Sequence, residues 1–291
     1  PTPLEATVAK KLDETFAQNT EWQQFSSGEW MVRILKTPKS AVVLGRTEPP
    51  GDNLMQTLTL VDTLKRNGAS NITLVVPYFG YSRHDRVVRQ GDHLPTDLFS
   101  KLFKHCGATR IITVDLHNQL TAKNSPIPLT NINFTQEFVA HFKKIVKNRV
   151  NLTIVSPDRG SKHRAEEFRN IFDPSLSVCW LEKHRDPKTV TVRSGALSGT
   201  KQGTTAIIID DICDTGDTIR GCIRELKKNG FKAFYLCVTH PVFSGTAIQT
   251  LQTLRFKKII VTNTIPLSAG TKKLLPITVG DTTSSITKIL L

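Results

Sequence analysis

Short apolar runs alternate with longer segments of helical periodicity along most of this chain. Apolar runs predict strands at Ile72–Val76, Ile111–Val114, Leu152–Val155 and Ile207–Ile209, and the last is expected to be buried on both faces, as in a parallel sheet. Amphipathic segments predict helices at Leu54–Arg66, Thr96–His105, Phe134–Lys147, His163–Phe172, Ile219–Lys228 and Gly245–Thr253. This alternation predicts an α/β protein with parallel sheets and right-handed crossovers.

A weak internal repeat suggests that the fold is duplicated. Ile72–Gly80 parallels Leu152–Gly160, because each is an apolar strand that runs into Pro, two variable residues and Gly. Ile111–His117 parallels Ile207–Cys213 in the same order, at an offset of about 80 to 96 residues. Chance similarity between parallel strands is the alternative. The repeat predicts two α/β domains whose boundary lies in the polar stretch Lys123–Asn133.

Composition sets the class of protein. A chain of 291 residues with 38% hydrophobic content can bury the cores of two domains. We find no apolar run near the roughly 18 to 20 residues that a membrane span needs, and the N-terminal segment is too polar for a secretory signal. The chain has five cysteines, which is an odd number, and none of them are spaced as Cys-x-x-Cys. This pattern favours reduced, structural thiols. We therefore expect a cytoplasmic protein without a membrane partner.

The net charge of +14 predicts attraction to polyanions. The basic residues are scattered over predicted helix faces and have no interleaved row of aromatic residues. This pattern favours solvation and the steering of phosphorylated substrates over a nucleic-acid groove. A nucleic-acid-binding role is the plain alternative interpretation of the charge.

The run Ala206–Thr218 is the most informative stretch for function. Asp210 and Asp211 follow the all-isoleucine strand, a costly place for two carboxylates unless a cation or hydroxyl groups meet them. The turn from Asp214 to Thr218 then begins a helix, where unsatisfied N–H groups and the helix dipole favour a phosphate. The sequence therefore predicts a sugar-phosphate site. The alternative is an ordinary polar turn with Asp214 as a helix cap.

Four further loops follow predicted strands. Pro77–Arg86 combines aromatic rings with Arg83 and Arg86, which suits a nucleobase and its phosphates, although the aromatic residues could simply be packed. The other three loops contain His117, a possible metal or phosphate contact, Asp158, a possible Mg²⁺ ligand, and Glu182–Asp186, a possible cationic clamp for phosphoryl transfer. The alternatives are a His117 that is only hydrogen-bonded in place, an Asp158 that caps a turn, and a Glu182–Asp186 segment that is plain surface charge.

Several stretches together resemble the ribose-phosphate pyrophosphokinase family, and they extend over nearly the whole chain. They are Phe25–Glu29, Asp52–Met55, Val76–Arg86, Val114–His117, Val155–Asp158, Lys183–Arg185, Asp210–Thr218, Thr239–Gly245 and Val261–Pro266. Asp210–Thr218 is also similar to the phosphoribosyl-diphosphate loop of the wider phosphoribosyltransferase superfamily. The resemblance implies two duplicated phosphoribosyltransferase-like domains, each a mainly parallel sheet flanked by helices.

The resemblance implies an activity and a domain organisation. We expect transfer of the diphosphoryl group of ATP to the C1 hydroxyl of ribose 5-phosphate, with Mg²⁺ as cofactor and catalysis at the domain interface. We expect an ATP-side domain over residues 1–132, a ribose 5-phosphate domain over 133–278, and a C-terminal helix over 279–291 that returns to the first domain. A homodimer-based assembly, often a hexamer, is also implied.

The resemblance also implies roles for individual residues. The expected ATP contacts are Phe25, Glu29, Arg83, His84, Asp85 and His117. The expected ribose 5-phosphate contacts are Asp210 and Asp211 for the hydroxyls, and Asp214, Thr215, Gly216, Asp217 and Thr218 for the phosphate. His117 and Asp158 are the expected metal contacts, and Lys183 and Arg185 are expected to stabilise the transition state.

Two departures from the family pattern affect these expectations. The family usually has glutamine at His84 and glycine at Asp217, where a carboxylate is expected to repel phosphate. A catalytically silent homologue that regulates or assembles with an active synthetase is the first alternative, but Lys183, Arg185, His117 and Asp158 all remain. A phosphoribosyltransferase that consumes the diphosphate is the second alternative, and the duplicated fold argues against it.

Overall fold

The chain folds into two compact units. The computed structural model describes residues 3–11, 20–84, 87, 90–146, 150–185 and 192–291, without the side chains of residues 3, 5, 11, 183–185 and 192–194. Unit 1 comprises Pro1–Asn133 and Thr282–Leu291, and unit 2 comprises Phe134–Asp281. In sequence, unit 2 is therefore inserted into unit 1.

Unit 1 is built on a parallel sheet. Its strands, in spatial order, are β3 (Ser40–Leu44), β4 (Asn71–Val75), β5 (Arg110–Val114) and β6 (Leu129–Ile132). An antiparallel hairpin precedes this sheet and pairs β1 (Thr20–Gln24) with β2 (Trp30–Ile34). The helices described in this unit are α1 (Pro3–Lys11), α2 (Gly51–Arg66), α3 (Pro95–Cys106), α4 (Leu120–Asn124) and α10 (Thr283–Leu290).

The core of unit 1 lies between its sheet and the apolar faces of α2 and α3. Val61 of α2 and Phe103 of α3 are buried with Ile72 and Leu74 of β4. Burial of one such side chain contributes about 1.5 to 3 kcal/mol. The core therefore fixes the carboxyl ends of β4 and β5, from which the loops of this unit extend.

Helix α10 follows unit 2 in the sequence but belongs to unit 1. It packs against α1, and its Ile286 is fully buried. Arg110 of β5 donates a hydrogen bond from Nη2 to the backbone carbonyl of Ile289 at 3.2 Å. The last helix is thus attached to the central sheet of unit 1.

Unit 2 is built on a larger sheet with the spatial order β13-β12-β11-β10-β7-β8-β9. The strands are β7 (Leu152–Ser156), β8 (Val178–Arg185), β9 (Val192–Gly199), β10 (Thr205–Cys213), β11 (Ala233–Pro241), β12 (Lys258–Thr262) and β13 (Ile277–Gly280). The neighbouring strands are parallel except for the antiparallel pair β8 and β9. The helices are α5 (Thr135–Ile145), α6 (Lys162–Phe172), α7 (Asp217–Lys228), α8 (Ala247–Leu254) and α9 (Ala269–Leu274).

Strand β10 lies at the centre of unit 2. Its Ala206, Ile207 and Ile208 are fully buried, as the continuous apolar run predicts for a strand covered on both faces. Helix α7 buries Ile219 and Ile223 in the same core. The strand and the helix that follows it are therefore both fixed by packing, and the turn between them is held at both ends.

The structure confirms the predicted α/β class, the parallel sheets and the six predicted helices, with ends that differ by a few residues. In each unit the two strands of the internal repeat are hydrogen-bonded parallel neighbours, β4 with β5 and β7 with β10. The hairpin of β1 and β2 and the antiparallel strand β9 were not predicted. Within the described part of the chain, we find no helix with the length and apolarity needed to span a bilayer.

Candidate active-site loops

The hairpin of unit 1 presents an aromatic ring and a carboxylate at its tip. Phe25 N–H donates to the carbonyl of Glu29 and Gly28 N–H to the carbonyl of Phe25, both at 2.9 Å, which closes the turn. Ser27 Oγ donates to Glu29 Oε2 at 2.8 Å. Phe25 is 46% exposed, which is unusual for so large an apolar side chain. Both side chains are thus available for the adenine contact that the sequence predicts.

The loop after β4 is held by one buried hydroxyl group. Thr47 Oγ1 donates to the carbonyl of Tyr78 at 2.6 Å and accepts from the N–H of Gly80 at 2.8 Å. A Cβ at Gly80 would lie 1.9 Å from the carbonyl oxygen of Thr47, so the two backbones approach too closely for any other residue. Tyr78 and Phe79 are buried, and their role is therefore structural.

The polar end of this loop carries the predicted nucleotide contacts. Tyr81 has a positive φ of 61° and packs edge-to-face on Phe99, with ring centroids 5.1 Å apart. Arg83 and His84 are exposed, and the His84 ring lies 5.2 Å from the ring of His93. Asp85, which was also predicted to contact ATP, lies outside the described residues.

The end of β5 turns sharply before His117. Asp115 is buried with a positive φ of 40°, and the N–H of Leu116 donates to Asn131 Oδ1 at 2.9 Å. These two features direct the chain out of the sheet, and His117 is exposed. His117 therefore lies at the carboxyl end of the sheet of unit 1, the edge at which ligands bind in open α/β sheets.

In unit 2, Asp158 has a structural role in the loop after β7. Its Oδ1 accepts from the N–H of Ser161 at 2.9 Å, and its carbonyl accepts from Ser156 Oγ at 2.6 Å. The turn-capping alternative is thus correct for one carboxylate oxygen. This capping bond fixes the carboxylate at the carboxyl end of β7.

Asp210 and Asp211 lie within β10, which is longer than predicted and continues to Cys213. Both carboxylates are buried. Asp210 Oδ1 accepts from Ser161 Oγ at 3.2 Å and from the N–H of Asp211 at 3.0 Å. Arg164 Nη2 lies 3.7 Å from Asp211 Oδ2. Ser161 and Arg164 thus supply part of the hydroxyl and cationic surroundings that two carboxylates in this position require.

The surroundings of Asp210 oppose its negative charge. Burial, and then the nearby carboxylates of Asp211 and Asp158, raise the pKa of Asp210 well above its ordinary value. A ligand that supplies hydroxyl donors or a cation would lower the cost of the negative charge. The pair therefore has the properties expected of a binding site for a polyhydroxylated or metal-bound ligand.

The turn after β10 leads directly into α7. Gly216 is the N-cap residue with a positive φ of 82°, a conformation that glycine adopts without strain. The carboxylate of Asp214 accepts a hydrogen bond from Ser244 Oγ, and the N–H of Phe243 donates to the carbonyl of Cys213 at 3.0 Å. The segment after β11 thus supports the turn, and the first N–H groups of α7 follow it.

The side chain of Asp217 is exposed and is held by two hydrogen-bond donors. Its Oδ1 accepts from Arg220 Nη2 at 2.5 Å, and its Oδ2 accepts from Thr215 Oγ1 at 2.9 Å. The side chain is 60% exposed, and that of Thr218 is also exposed. The hydroxyl proton of Thr215, which was predicted to be a phosphate donor, is therefore engaged by Asp217.

Strand β8 carries the predicted cationic clamp. Lys183 and Arg185 are the sixth and last residues of the strand, paired in register with Ser194 and Val192 of β9, and their side chains lie outside the description. Just before them, Trp180 Nε1 donates to Glu182 Oε1 at 2.8 Å. The pairing with β9 and the bond from Trp180 to Glu182 hold the backbone of β8 in place next to the predicted cationic residues.

Residues that sequence reasoning missed take part in these loops. Ser161 and Arg164 contact the buried carboxylates, Ser244 contacts Asp214, and Arg220 contacts Asp217. Only the Arg220 contact had a local signal, since residues three apart on a helix are neighbours. Among the described side chains, no group of three or more His, Cys, Asp or Glu residues is arranged to hold a metal.

Comparison with known proteins identifies the family. Residues 2–107 match the model of the N-terminal domain of ribose phosphate pyrophosphokinase, and residues 182–280 match the model of the phosphoribosyl synthetase-associated domain. A ribose-phosphate pyrophosphokinase of Bacillus subtilis is 34% identical over 247 residues, which cover 84% of this chain and 76% of the relative. That of Thermosipho africanus is 35% identical over 267 residues, which cover 89% and 83%.

A solved structure agrees with these sequence matches. The crystal structure of phosphoribosylpyrophosphate synthetase from Mycobacterium smegmatis superposes with a TM-score of 0.89 at 29% sequence identity. The match covers 99% of this chain and 93% of that chain. The similarity thus includes the sheets of both units, and the chain belongs to the ribose-phosphate pyrophosphokinase family.

Proposed function

We propose that this protein transfers the diphosphoryl group of ATP to the C1 hydroxyl of ribose 5-phosphate, giving 5-phosphoribosyl 1-diphosphate and AMP. The observation that carries this proposal is the course of β10, which holds two buried carboxylates at its carboxyl end, one short turn before the N-terminus of α7. The names of the relatives support the same reaction.

We assign ribose 5-phosphate to unit 2, which corresponds to the domain expected over residues 133–278. Asp210 and Asp211 would accept hydrogen bonds from the ribose hydroxyls, which would compensate the cost of their burial. The turn from Asp214 to Thr218 would bind the 5-phosphate through the N–H groups at the start of α7. Anion and hydroxyl recognition are thus divided between the helix terminus and the strand.

We assign ATP to unit 1, whose first segment corresponds to the domain expected over residues 1–132. The exposed Phe25 ring and the Glu29 carboxylate have the chemistry to contact adenine by stacking and by accepting from its amino group. Arg83 and His84, exposed at the end of the loop after β4, have the chemistry to contact the base or the phosphates. Asp85 is assigned to the same site from the family resemblance.

We include Mg²⁺ as the cofactor on the strength of the family resemblance. From the same resemblance we assign His117 and Asp158 as metal contacts, and each follows the carboxyl end of a parallel strand in its own unit. Mg²⁺ typically takes one or two protein ligands and fills its remaining positions with water and phosphate oxygens. When bound, the ion supplies neutralisation of the charge on the phosphate oxygens.

The transfer itself needs positioning and cationic stabilisation more than proton chemistry. The C1 oxygen forms a bond to the β-phosphorus, the bond from this phosphorus to the bridging oxygen of AMP breaks, and the hydroxyl proton passes to solvent. Lys183 and Arg185 would neutralise the charge that develops on the transferred oxygens. We see no need for a dedicated general base, because such transition states are loose.

We extend the proposal to the assembly and the location of the protein. The family resemblance supports a homo-oligomer based on dimers, up to a hexamer, in the cytoplasm. Sedimentation of the purified protein with and without ATP would measure the assembly, and a monomer under both conditions would contradict it.

The test is to measure AMP and phosphoribosyl diphosphate from ATP, ribose 5-phosphate and Mg²⁺. Lys183→Ala is expected to lower kcat about 100-fold or more, the size typical of removing one transition-state contact. Lys228→Ala is the matched control, because Lys228 forms an exposed ion pair with Glu225 at 2.9 Å. A folded wild-type protein that binds ATP and yields no product would instead indicate a silent, partner-regulating homologue.

A further inference from the structure

The turn proposed to bind the 5-phosphate contains a carboxylate of the same sign as its ligand. Asp217 is the first residue of α7, directly after the N-cap Gly216. A negative charge at a helix N-terminus stabilises the helix, so the residue benefits the fold of the unliganded protein. The same charge opposes a phosphate at the same helix end.

Arg220 removes this conflict in the structure. It lies one turn further along α7, and its Nη2 donates to Asp217 Oδ1 at 2.5 Å. A bond from Thr215 Oγ1 to Asp217 Oδ2 holds the other oxygen at 2.9 Å. Both carboxylate oxygens are therefore occupied by donors, and the pair has no net charge.

We propose that Arg220 is a positioning residue for ribose 5-phosphate, acting through Asp217. It neutralises the carboxylate and keeps it paired at the protein surface, so that the N–H groups that follow Asp217 at the start of α7 can receive the phosphate. The N–H of Asp217 itself donates to Thr215 Oγ1 at 3.4 Å. The inference rests on the proposed function, which places the 5-phosphate at this turn. Arg220 need not touch the phosphate itself.

A substitution at Asp217 distinguishes this role from direct binding of the phosphate by Arg220. If Arg220 acts through Asp217, then Arg220→Ala is harmful only while residue 217 is charged. If Arg220 binds the phosphate directly, its loss is harmful whatever stands at position 217. The double variant Asp217→Asn with Arg220→Ala therefore separates the two roles.

The experiment measures the KM for ribose 5-phosphate, the KM for ATP and kcat, together with calorimetric binding of ribose 5-phosphate alone. Arg220→Ala is expected to raise the KM and Kd for ribose 5-phosphate about tenfold, from one unit charge facing a phosphate dianion across a surface site. The KM for ATP and kcat are expected to change less than about twofold. The double variant is expected to return to within about twofold of wild type.

Arg224→Ala is the matched control. It removes the same charge from the same helix one turn further from the phosphate turn, where Arg224 Nε lies 3.6 Å from Glu225 Oε1. Its side chain is as exposed as that of Arg220, so folding is expected to be equally tolerant. We expect its KM for ribose 5-phosphate to stay within about twofold of wild type.

Each outcome decides the inference. An unchanged KM in Arg220→Ala, an equal rise in Arg224→Ala, or a double variant that stays weak would overturn the role assigned to Arg220 while turnover upholds the proposed function. Wild-type protein that binds ribose 5-phosphate without turnover would contradict only the proposed function, since the Kd values still test Arg220. Absence of both binding and turnover would overturn both.

Discussion

Replacement of Thr47 by valine is expected to destabilise unit 1 and the loop that carries Arg83 and His84. The Thr47 side chain is almost completely buried, and its hydroxyl group bonds the carbonyl of Tyr78 and the N–H of Gly80. Valine has nearly the same shape, so the substitution creates no cavity. The effect therefore isolates two hydrogen bonds in a place that solvent does not reach.

The magnitude follows from the two backbone groups that lose a partner. An unsatisfied buried polar group costs about 1 to 3 kcal/mol, and partial relaxation of the loop would recover some of this cost. We expect the free energy of unfolding of unit 1 to fall by about 2 to 4 kcal/mol. For a domain of this size, about 3 °C per kcal/mol gives a decrease in Tm of about 6 to 12 °C.

Differential scanning calorimetry measures this change, because two units can unfold in separate transitions. Trp22 and Trp30 lie in unit 1 and Trp180 in unit 2, so single replacement of Trp180 by phenylalanine would let fluorescence report on unit 1. We also expect the KM for ATP to rise, since the loop loses its attachment.

Thr59→Val is the matched control for this substitution. Thr59 is on α2, and its Oγ1 donates at 2.8 Å to the carbonyl of Met55 in an exposed position. Water replaces this bond, and we expect a change below about 0.5 kcal/mol. A Thr47→Val protein whose Tm falls by less than about 2 °C, or by no more than that of the control, would refute the argument.

Asp210→Asn is expected to weaken the binding of ribose 5-phosphate. The same variant is expected to be about 1 kcal/mol more stable than the wild type at neutral pH without ligand, because a binding residue can reduce the stability of the fold. Because the pKa of Asp210 is raised, the folded protein holds a proton at pH values where the unfolded chain has already lost it. The stability of the wild type therefore falls as the pH rises from the ordinary carboxyl pKa to the raised one. Urea titrations at pH 4 and pH 8 should show the greater stability of the variant only at pH 8. Gly216→Ala is expected to lower the free energy of unfolding by about 1 to 2 kcal/mol and to raise the KM for ribose 5-phosphate, because alanine is strained at the φ of 82° that residue 216 adopts. Equal KM values for the variant and the wild type would contradict this prediction. In the native protein, a thiol reagent is expected to react quickly with Cys106 at most, because the other four cysteines are buried. Burial also raises the pKa of Cys179 to about 11. Rapid reaction of two or more thiols would contradict this prediction.

The sheets and their helices could be predicted because burial on both faces leaves a strong signal in sequence. The run Ala206–Ile209 has no polar position, and only a strand covered on both sides requires that. The hairpin of β1 and β2 left no such signal. Most residues of Thr20–Gln24 are exposed, so the strand is defined by its pairing with β2 and not by an apolar face.

The site was predictable in its main-chain frame and less so in its side-chain partners. The carboxylates, the glycine of the turn and the helix start are contiguous in sequence, and their order alone indicates a sugar-phosphate site. Ser161 and Arg164, which meet those carboxylates, come from a different strand-loop-helix segment. Only the parallel pairing of β7 with β10 brings them together, and such pairing is not encoded locally.

The insertion of unit 2 between the two segments of unit 1 has a consequence for synthesis on the ribosome. Residues Phe134–Asp281 leave the ribosome before Thr282–Leu291, so unit 2 has its whole sequence while unit 1 still lacks α10. Domains generally fold as they emerge, from the N-terminus onward. Here the order is expected to be reversed, because the bond from Arg110 to Ile289 and the contact of α10 with α1 form last. A chain released early would therefore carry a finished unit 2 and an unfinished unit 1, and quality-control proteases would act first on unit 1.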